Sequence, residues 1–178
     1  MKILVLTGSP HKNGTTALLA DQFIQGAEEA GHTIWRLDAA FADIHPCLGC
    51  DKCRSGQHEC VWQDDMRALY PKLLEADMLV FVTPVYYHGA SAQIKVAIDR
   101  FHGIDDLLRQ RPKKAILLAV AADTKDHVLR GVTATYEETL LYLHWQDCGR
   151  ILALGCYSRE DIEKTDYPAQ AYALGRGV

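Results

Sequence analysis

Basic residues are in short supply in this chain of 178 residues, where 19 Lys and Arg stand against 23 Asp and Glu for a formal net charge of −4. No basic cluster offsets that balance, so no nucleic-acid partner is expected. Nothing approaches the ~18 uninterrupted apolar residues of a membrane-spanning helix, and no membrane is expected either. No signal peptide is expected, because the opening apolar run enters a βα unit with no cleavage site. These absences point to a cytoplasmic, reducing location, where the six cysteines serve as thiols or ligands rather than disulfides. Internal repeats and low-complexity linkers are absent. What remains is 48% hydrophobic and 24% charged, an ordinary globular balance. Residues 1–178 are expected to form one domain, burying roughly 70% of the surface of the unfolded chain. Its last stretch, 155–178, reads as a tail of weak periodicity that packs loosely or belongs to a subunit contact.

The first loop is informative in the same way. The apolar run Ile3–Leu6 leads through Gly8-Ser9-Pro10-His11-Lys12-Asn13-Gly14 to Thr15 and Thr16, and then Ala17, Leu18, Leu19, Phe23 and Ile24 repeat with helical spacing. No lysine follows Gly14, so this is not a Walker loop. Pro10 breaks the dinucleotide fingerprint, and no cysteine precedes residue 47 to act as a phosphatase nucleophile. Strand, loop and helix N-terminus nevertheless converge unpaired backbone N–H groups and the positive end of a helix dipole on one point. Ser9, Thr15 and Thr16 add hydroxyls. A single terminal phosphate fits, such as that of a mononucleotide or of flavin mononucleotide (FMN). The plain alternative is an ordinary capped βα turn.

Strand-length apolar runs at Ile3–Leu6, Thr33–Leu37, Met78–Thr83, Ala115–Ala121 and Ile151–Leu154 alternate with helical patterns near 15–30, 64–76, 91–101 and 133–145. Continuous apolar runs suit strands covered on both faces. The fold class is therefore α/β, a three-layer sandwich around a five-stranded parallel sheet in the flavodoxin-like order 2-1-3-4-5. Its ligand site lies beyond the carboxyl ends of strands 1 and 3. The third run ends in Thr83-Pro84-Val85-Tyr86-Tyr87-His88-Gly89-Ala90-Ser91. Pro84 is expected to stop the strand and Gly89 to let backbone approach a ligand. The tyrosines and histidine offer a flat wall and polar tips, or else simply cap the core. Ser91 is expected to cap the next helix. The loop Ala122–His127 reads as a solvated turn on the same rim.

Cys47, Cys50, Cys53 and Cys60 place four thiols within fourteen residues. Such a run suits an iron–sulfur cluster, four thiolates equally suit tetrahedral zinc, and a site without metal stays open. Cys148 and Cys156 read as small buried hydrophobes. Asp64 and Asp65 read as the cap and first-turn charge of the following helix. Trp35, Trp62 and Trp145 read as packing residues, with Trp62 placed to shield a cluster.

Gly8-Ser9-Pro10 with Asn13–Thr16, Thr83–Tyr87, and the helix bearing Lys95, Asp99 and Arg100 resemble the NADPH-dependent FMN reductase family over roughly residues 1–155. The four cysteines resemble its iron–sulfur flavoprotein branch. The resemblance implies a flavodoxin-like FMN-binding fold. Ser9, His11, Gly14, Thr15 and Thr16 would hold the phosphate, and Pro84, Val85, Tyr86, Tyr87, His88 and Gly89 would line the isoalloxazine. It further implies a 4Fe–4S cluster on Cys47, Cys50, Cys53 and Cys60, and a homodimer or homotetramer. His11 departs from the pattern, since relatives commonly carry arginine there. Arginine is permanently charged, whereas an unperturbed histidine titrates near ~6.5, so the phosphate grip is expected to weaken above neutrality unless Lys12 substitutes.

Flavin chemistry asks little of protein acids and bases, so the missing catalytic triad is no objection to an enzyme. The expected function is an FMN-dependent oxidoreductase passing electrons from NAD(P)H or a ferredoxin-like donor to a quinone, flavin or similar small acceptor. One alternative is an iron–sulfur flavoprotein electron carrier. Another is a non-enzymatic, zinc-stabilised module that binds a phosphate ligand.

Overall fold

A computed structural model describes residues 1–56 and 58–178. The parallel sheet consists of β1 (Lys2–Thr7), β2 (Thr33–Asp38), β3 (Met78–Tyr86), β5 (Lys114–Val120) and β6 (Gln146–Ala153), in the order β2-β1-β3-β5-β6. Counted alone, these five strands reproduce the expected order. A sixth, β4 (Gly89–Ala90), pairs antiparallel with the end of β3. It exists because β3 does not stop at Pro84 but continues to Tyr86. The last β1–β3 pair is Thr7 with Val82, so on that side Pro84 lies past the point where its missing N–H would cost a ladder bond. Tyr87 and His88 then turn the chain with φ of +47° and +66°. Two consecutive residues at positive φ match the primed turn that joins hairpin strands.

Alternation along each strand builds the two outer layers. Ile3, Val5, Val80 and Leu118 face α1 (Thr15–Glu29) and α7 (Tyr167–Arg176), packing with Leu19, Phe23 and Ala171. Leu4, Leu6, Leu79 and Leu117 face the opposite layer, α2 (Met66–Glu75), α3 (Ala92–Asp99), α4 (Asp105–Arg109) and α5 (Arg130–Leu143). Trp145 is buried in that layer, its indole N–H directed at the Leu108 carbonyl. None of the described helices is long and apolar enough to cross a membrane.

The tail corrects the sequence reading. It holds α6 (Arg159–Glu163), opened by a Ser158–Asp161 capping box, and α7, which lies tightly against α1. A Cβ at Gly26 would sit 2.2 Å from the Tyr172 carbonyl oxygen, and one at Gly175 would sit 2.1 Å from that of Phe23. The crossing is made by glycines and alanine, which give almost no amphipathic signal.

Candidate functional site

The loop after β1 and the turn after β3 are tied together before any ligand is considered. The Ser91 hydroxyl donates to the Gly8 carbonyl at 2.7 Å, and the Ser91 amide donates to the Thr83 hydroxyl at 2.9 Å. Ser91 is wholly buried, and although it precedes α3 its side chain makes no capping bond, contrary to the sequence expectation. Its hydroxyl serves the neighbouring loop instead. A Cβ at Gly8 would come within 2.4 Å of that oxygen, so only glycine permits the approach.

Past Gly8, Ser9 Oγ accepts the His11 amide at 3.1 Å, and the Gly14 amide returns to the His11 carbonyl at 3.1 Å. The first bond within α1 runs from Leu18 N–H to the Gly14 carbonyl, which leaves the amides of Thr15, Thr16 and Ala17 at the open helix end. No side chain caps this helix. Thr16 is 1% exposed, and its Oγ1 has no hydrogen-bond partner among the described residues. A buried hydroxyl without a partner costs free energy unless a ligand supplies one. An anion at the helix end would do so, and the residues present therefore fit a phosphate.

Two clefts meet at this loop. The larger, of about 810 Å³, is lined by Ser9, His11, Lys12, Asn13, Gly14 and Thr15 on one side and by Pro84, Val85 and Tyr86 on another. Val120, Ala122 and the segment 156–159 complete it. The smaller, of about 360 Å³, lies toward β2 and takes in Thr16 together with Ser9, His11 and Lys12. Arg36 lines it too but is occupied by Asp21 and Asp38. Seven of the eleven expected cofactor residues thus share the larger cleft, and Thr16 opens on its neighbour. Tyr87, His88 and Gly89 do not line either cleft. Tyr87 stands fully exposed, and the His88 carbonyl packs on Gly131, where a Cβ would come within 2.4 Å.

Sequence reasoning missed the far wall, Cys156, Tyr157, Ser158 and Arg159. Burial pushes the Cys156 thiol up, with the charge of Asp161 adding to it. No Asp or Glu lines the larger cleft, whereas Lys12, Arg159 and His11 do. Its charge favours an anion at one end, and its apolar floor favours a flat ring at the other.

The cysteine run lies between β2 and α2. Cys47 and Cys50 are exposed, Cys60 is half-buried and Cys53 is buried. Burial raises the Cys53 thiol, and Cys60 and Cys47 push it further. Among the described residues no group of three or more His, Cys, Asp or Glu side chains is arranged to hold a metal ion. The segment is closed at its neck by Asp64 and Arg100, which pair through contacts of 2.6 and 3.1 Å with both side chains almost wholly buried. Arg100 also donates to the His45 carbonyl, and Asp64 accepts the amides of His45 and Met66. The cap and first-turn charge read for Asp64 and Asp65 are not formed as expected. Asp65 holds the N-cap position without a side-chain capping bond, and no acidic residue lies in the first turn. Asp64, although it accepts the Met66 amide, has Arg100 as its main partner. Trp62 stacks on His45 with ring centroids 4.2 Å apart.

The chain is 32% identical over 122 residues to an iron–sulfur flavoprotein of Methanocaldococcus jannaschii, covering 68% of this chain and 63% of that one. An iron–sulfur flavoprotein of Methanosarcina thermophila is 33% identical over 100 residues, 56% of this chain and 52% of the relative. The chain thus spans between about half and two thirds of the length of these relatives. An NAD(P)H:quinone oxidoreductase from Methanothermobacter marburgensis superposes with a TM-score of 0.76 at 18% identity, over 99% of this chain and 94% of that structure, which speaks for the fold. The description of NADPH-dependent FMN reductases matches residues 1–155, the stretch holding the whole parallel sheet, the first loop and the tyrosine turn. A cradle fitted to a phosphate at the open end of α1 is what that match calls for, and the chain belongs to the NADPH-dependent FMN reductase family.

Proposed function

We propose that residues 1–178 form one FMN-binding domain of an oxidoreductase that takes electrons from NAD(P)H or a ferredoxin-like carrier and delivers them to a quinone, flavin or similar small acceptor. The observation that carries the reading is the stranded Thr16 hydroxyl at the uncapped start of α1, next to a cleft with cations at one end and apolar residues at the other. Bound FMN would supply the hydride and electron chemistry. The protein's own part is to bind and orient. Ser9, Gly14, Thr15 and Thr16 hold the phosphate end through hydroxyls and amides, with His11 and Lys12 adding positive charge. Pro84, Val85 and Tyr86 form one wall for the ring. Tyr87 and His88 stand at the rim, where the open face meets donor and acceptor, and a second copy of this chain is proposed to border that face.

A second reading rests on the Cys-x2-Cys-x2-Cys-x6-Cys spacing and on the iron–sulfur flavoproteins among the relatives. In it Cys47, Cys50, Cys53 and Cys60 hold a 4Fe–4S cluster and the protein is an electron carrier. The conformation described above does not gather the four sulfurs, so this reading requires the segment to rearrange around the cluster. Anaerobic purification with visible spectroscopy and iron analysis, followed by steady-state assays with NADH and NADPH against several quinones, separates the two. A flavin spectrum with turnover supports the reductase. Broad visible absorbance lost in Cys50→Ser supports the carrier. Protein that takes up no FMN when it is supplied overturns both.

A further inference from the structure

Position 11 carries histidine, and the loop's only permanent cation, Lys12, leans away with its Nζ 4.7 Å from the Phe41 ring centroid. A phosphate seat with so little fixed charge prompts the question of where more comes from. The larger cleft has one other cation, Arg159, from the C-terminal segment beyond the family match. Its Nη1 lies 3.4 Å from the Asn13 carbonyl oxygen, which brings the guanidinium to the phosphate loop across 146 residues of sequence. Nε donates to Glu163 at 2.7 Å, an i,i+4 pair with both side chains well exposed. Such a pair holds a side chain only weakly. Nη2 has no partner among the described residues.

We propose that Arg159 is a cofactor-specificity residue that supplies, from the tail, a guanidinium to a phosphate loop whose own lysine is turned toward Phe41, and so selects the phosphorylated flavin over riboflavin. The inference rests on the FMN reading above. The contact to Asn13 positions the group at the mouth of the loop, and the planar fork leaves N–H donors for a phosphate oxygen, a geometry lysine does not reproduce. The Glu163 contact engages only Nε and so leaves the outer edge of the fork open.

The test is titration of the apoprotein with FMN and with riboflavin, followed by quenching of flavin fluorescence. In Arg159→Gln the dissociation constant for FMN should rise roughly tenfold, the scale of one lost charge-assisted hydrogen bond. Riboflavin binding should stay within about twofold, since it lacks the charged group on which the bond depends. Arg159→Lys should recover only part of the loss. In the unaltered protein the preference for FMN should shrink with added salt, because exposed charges are screened, and this arm does not depend on any variant folding. An unchanged FMN-to-riboflavin ratio in Arg159→Gln or Arg159→Lys would sink the inference while leaving the FMN reading intact. If the unaltered protein binds neither flavin, both fall together.

Discussion

Thr16 is buried with its hydroxyl unpaired, yet the fold tolerates it. An unsatisfied buried hydroxyl costs about 1–3 kcal/mol, so its removal should not harm the ligand-free protein. Thr16→Val keeps the shape and deletes the oxygen. The apoprotein should melt at the same temperature or higher, while FMN affinity falls at least roughly fivefold, on the scale of one hydrogen bond to a charged group. Opposite signs on stability and affinity are the mark of a ligand-facing group. A variant that melts lower yet binds FMN normally would make Thr16 a packing residue. At this scale the sequence was readable where a motif is local, because Ser9, Thr15 and Thr16 follow a strand and open a helix. Arg159 was not readable, since its place at the loop depends on where the tail folds.

Among elements, the segment carrying the cysteines shows how a loop is held by residues outside it. Asp64 and Arg100 are removed from water, and three further hydrogen bonds, from the His45 and Met66 amides to Asp64 and from Arg100 to the His45 carbonyl, gather at the same neck. Breaking one partner of a buried pair leaves an uncompensated charge and typically costs about 3–5 kcal/mol. Asp64→Asn should therefore lower the urea midpoint sharply at neutral pH. Burial by itself would raise the Asp64 carboxyl, but the Arg100 bonds and the His45 amide outweigh it and hold it below the ordinary carboxylate range. A carboxyl depressed on folding stabilises above its unfolded value, near ~3.9, and that contribution fades as pH falls through the lower folded value. Urea unfolding at pH 6 and pH 3 should show a smaller acid loss in Asp64→Asn than in the unaltered protein, and equal losses would refute the assignment. The spacing of the cysteines was evident from sequence. The burial of Arg100 was not legible there, because it depends on α3 running into the tight turn 100–104, where Arg100 meets Asp64.

For the molecule as a whole, the tail braces the layer that presents the phosphate loop. The parallel order was legible because apolar runs and helices alternate with short connections, and the short β4 was not, because it is two residues made by a turn of unusual φ. The α1–α7 crossing escaped notice for a different reason, since close approach is encoded in side chains that are missing. At Gly26 an added methyl would meet only backbone, the Tyr172 carbonyl at 2.2 Å and the Arg176 amide at 3.0 Å. Neither can rotate aside as a side chain would. Gly26→Ala should therefore force α7 off α1 and cost about 3 kcal/mol, the upper part of the range for overpacking. For a chain of this size that is a fall in melting temperature of roughly 6–12 °C. Since α6 and α7 are consecutive and α6 carries Arg159, displacement of α7 should also weaken FMN binding more than riboflavin binding. Calorimetry of the variant with and without each flavin checks both parts. A helix propensity gain with no loss of melting temperature would mean that the two helices are not in contact in solution.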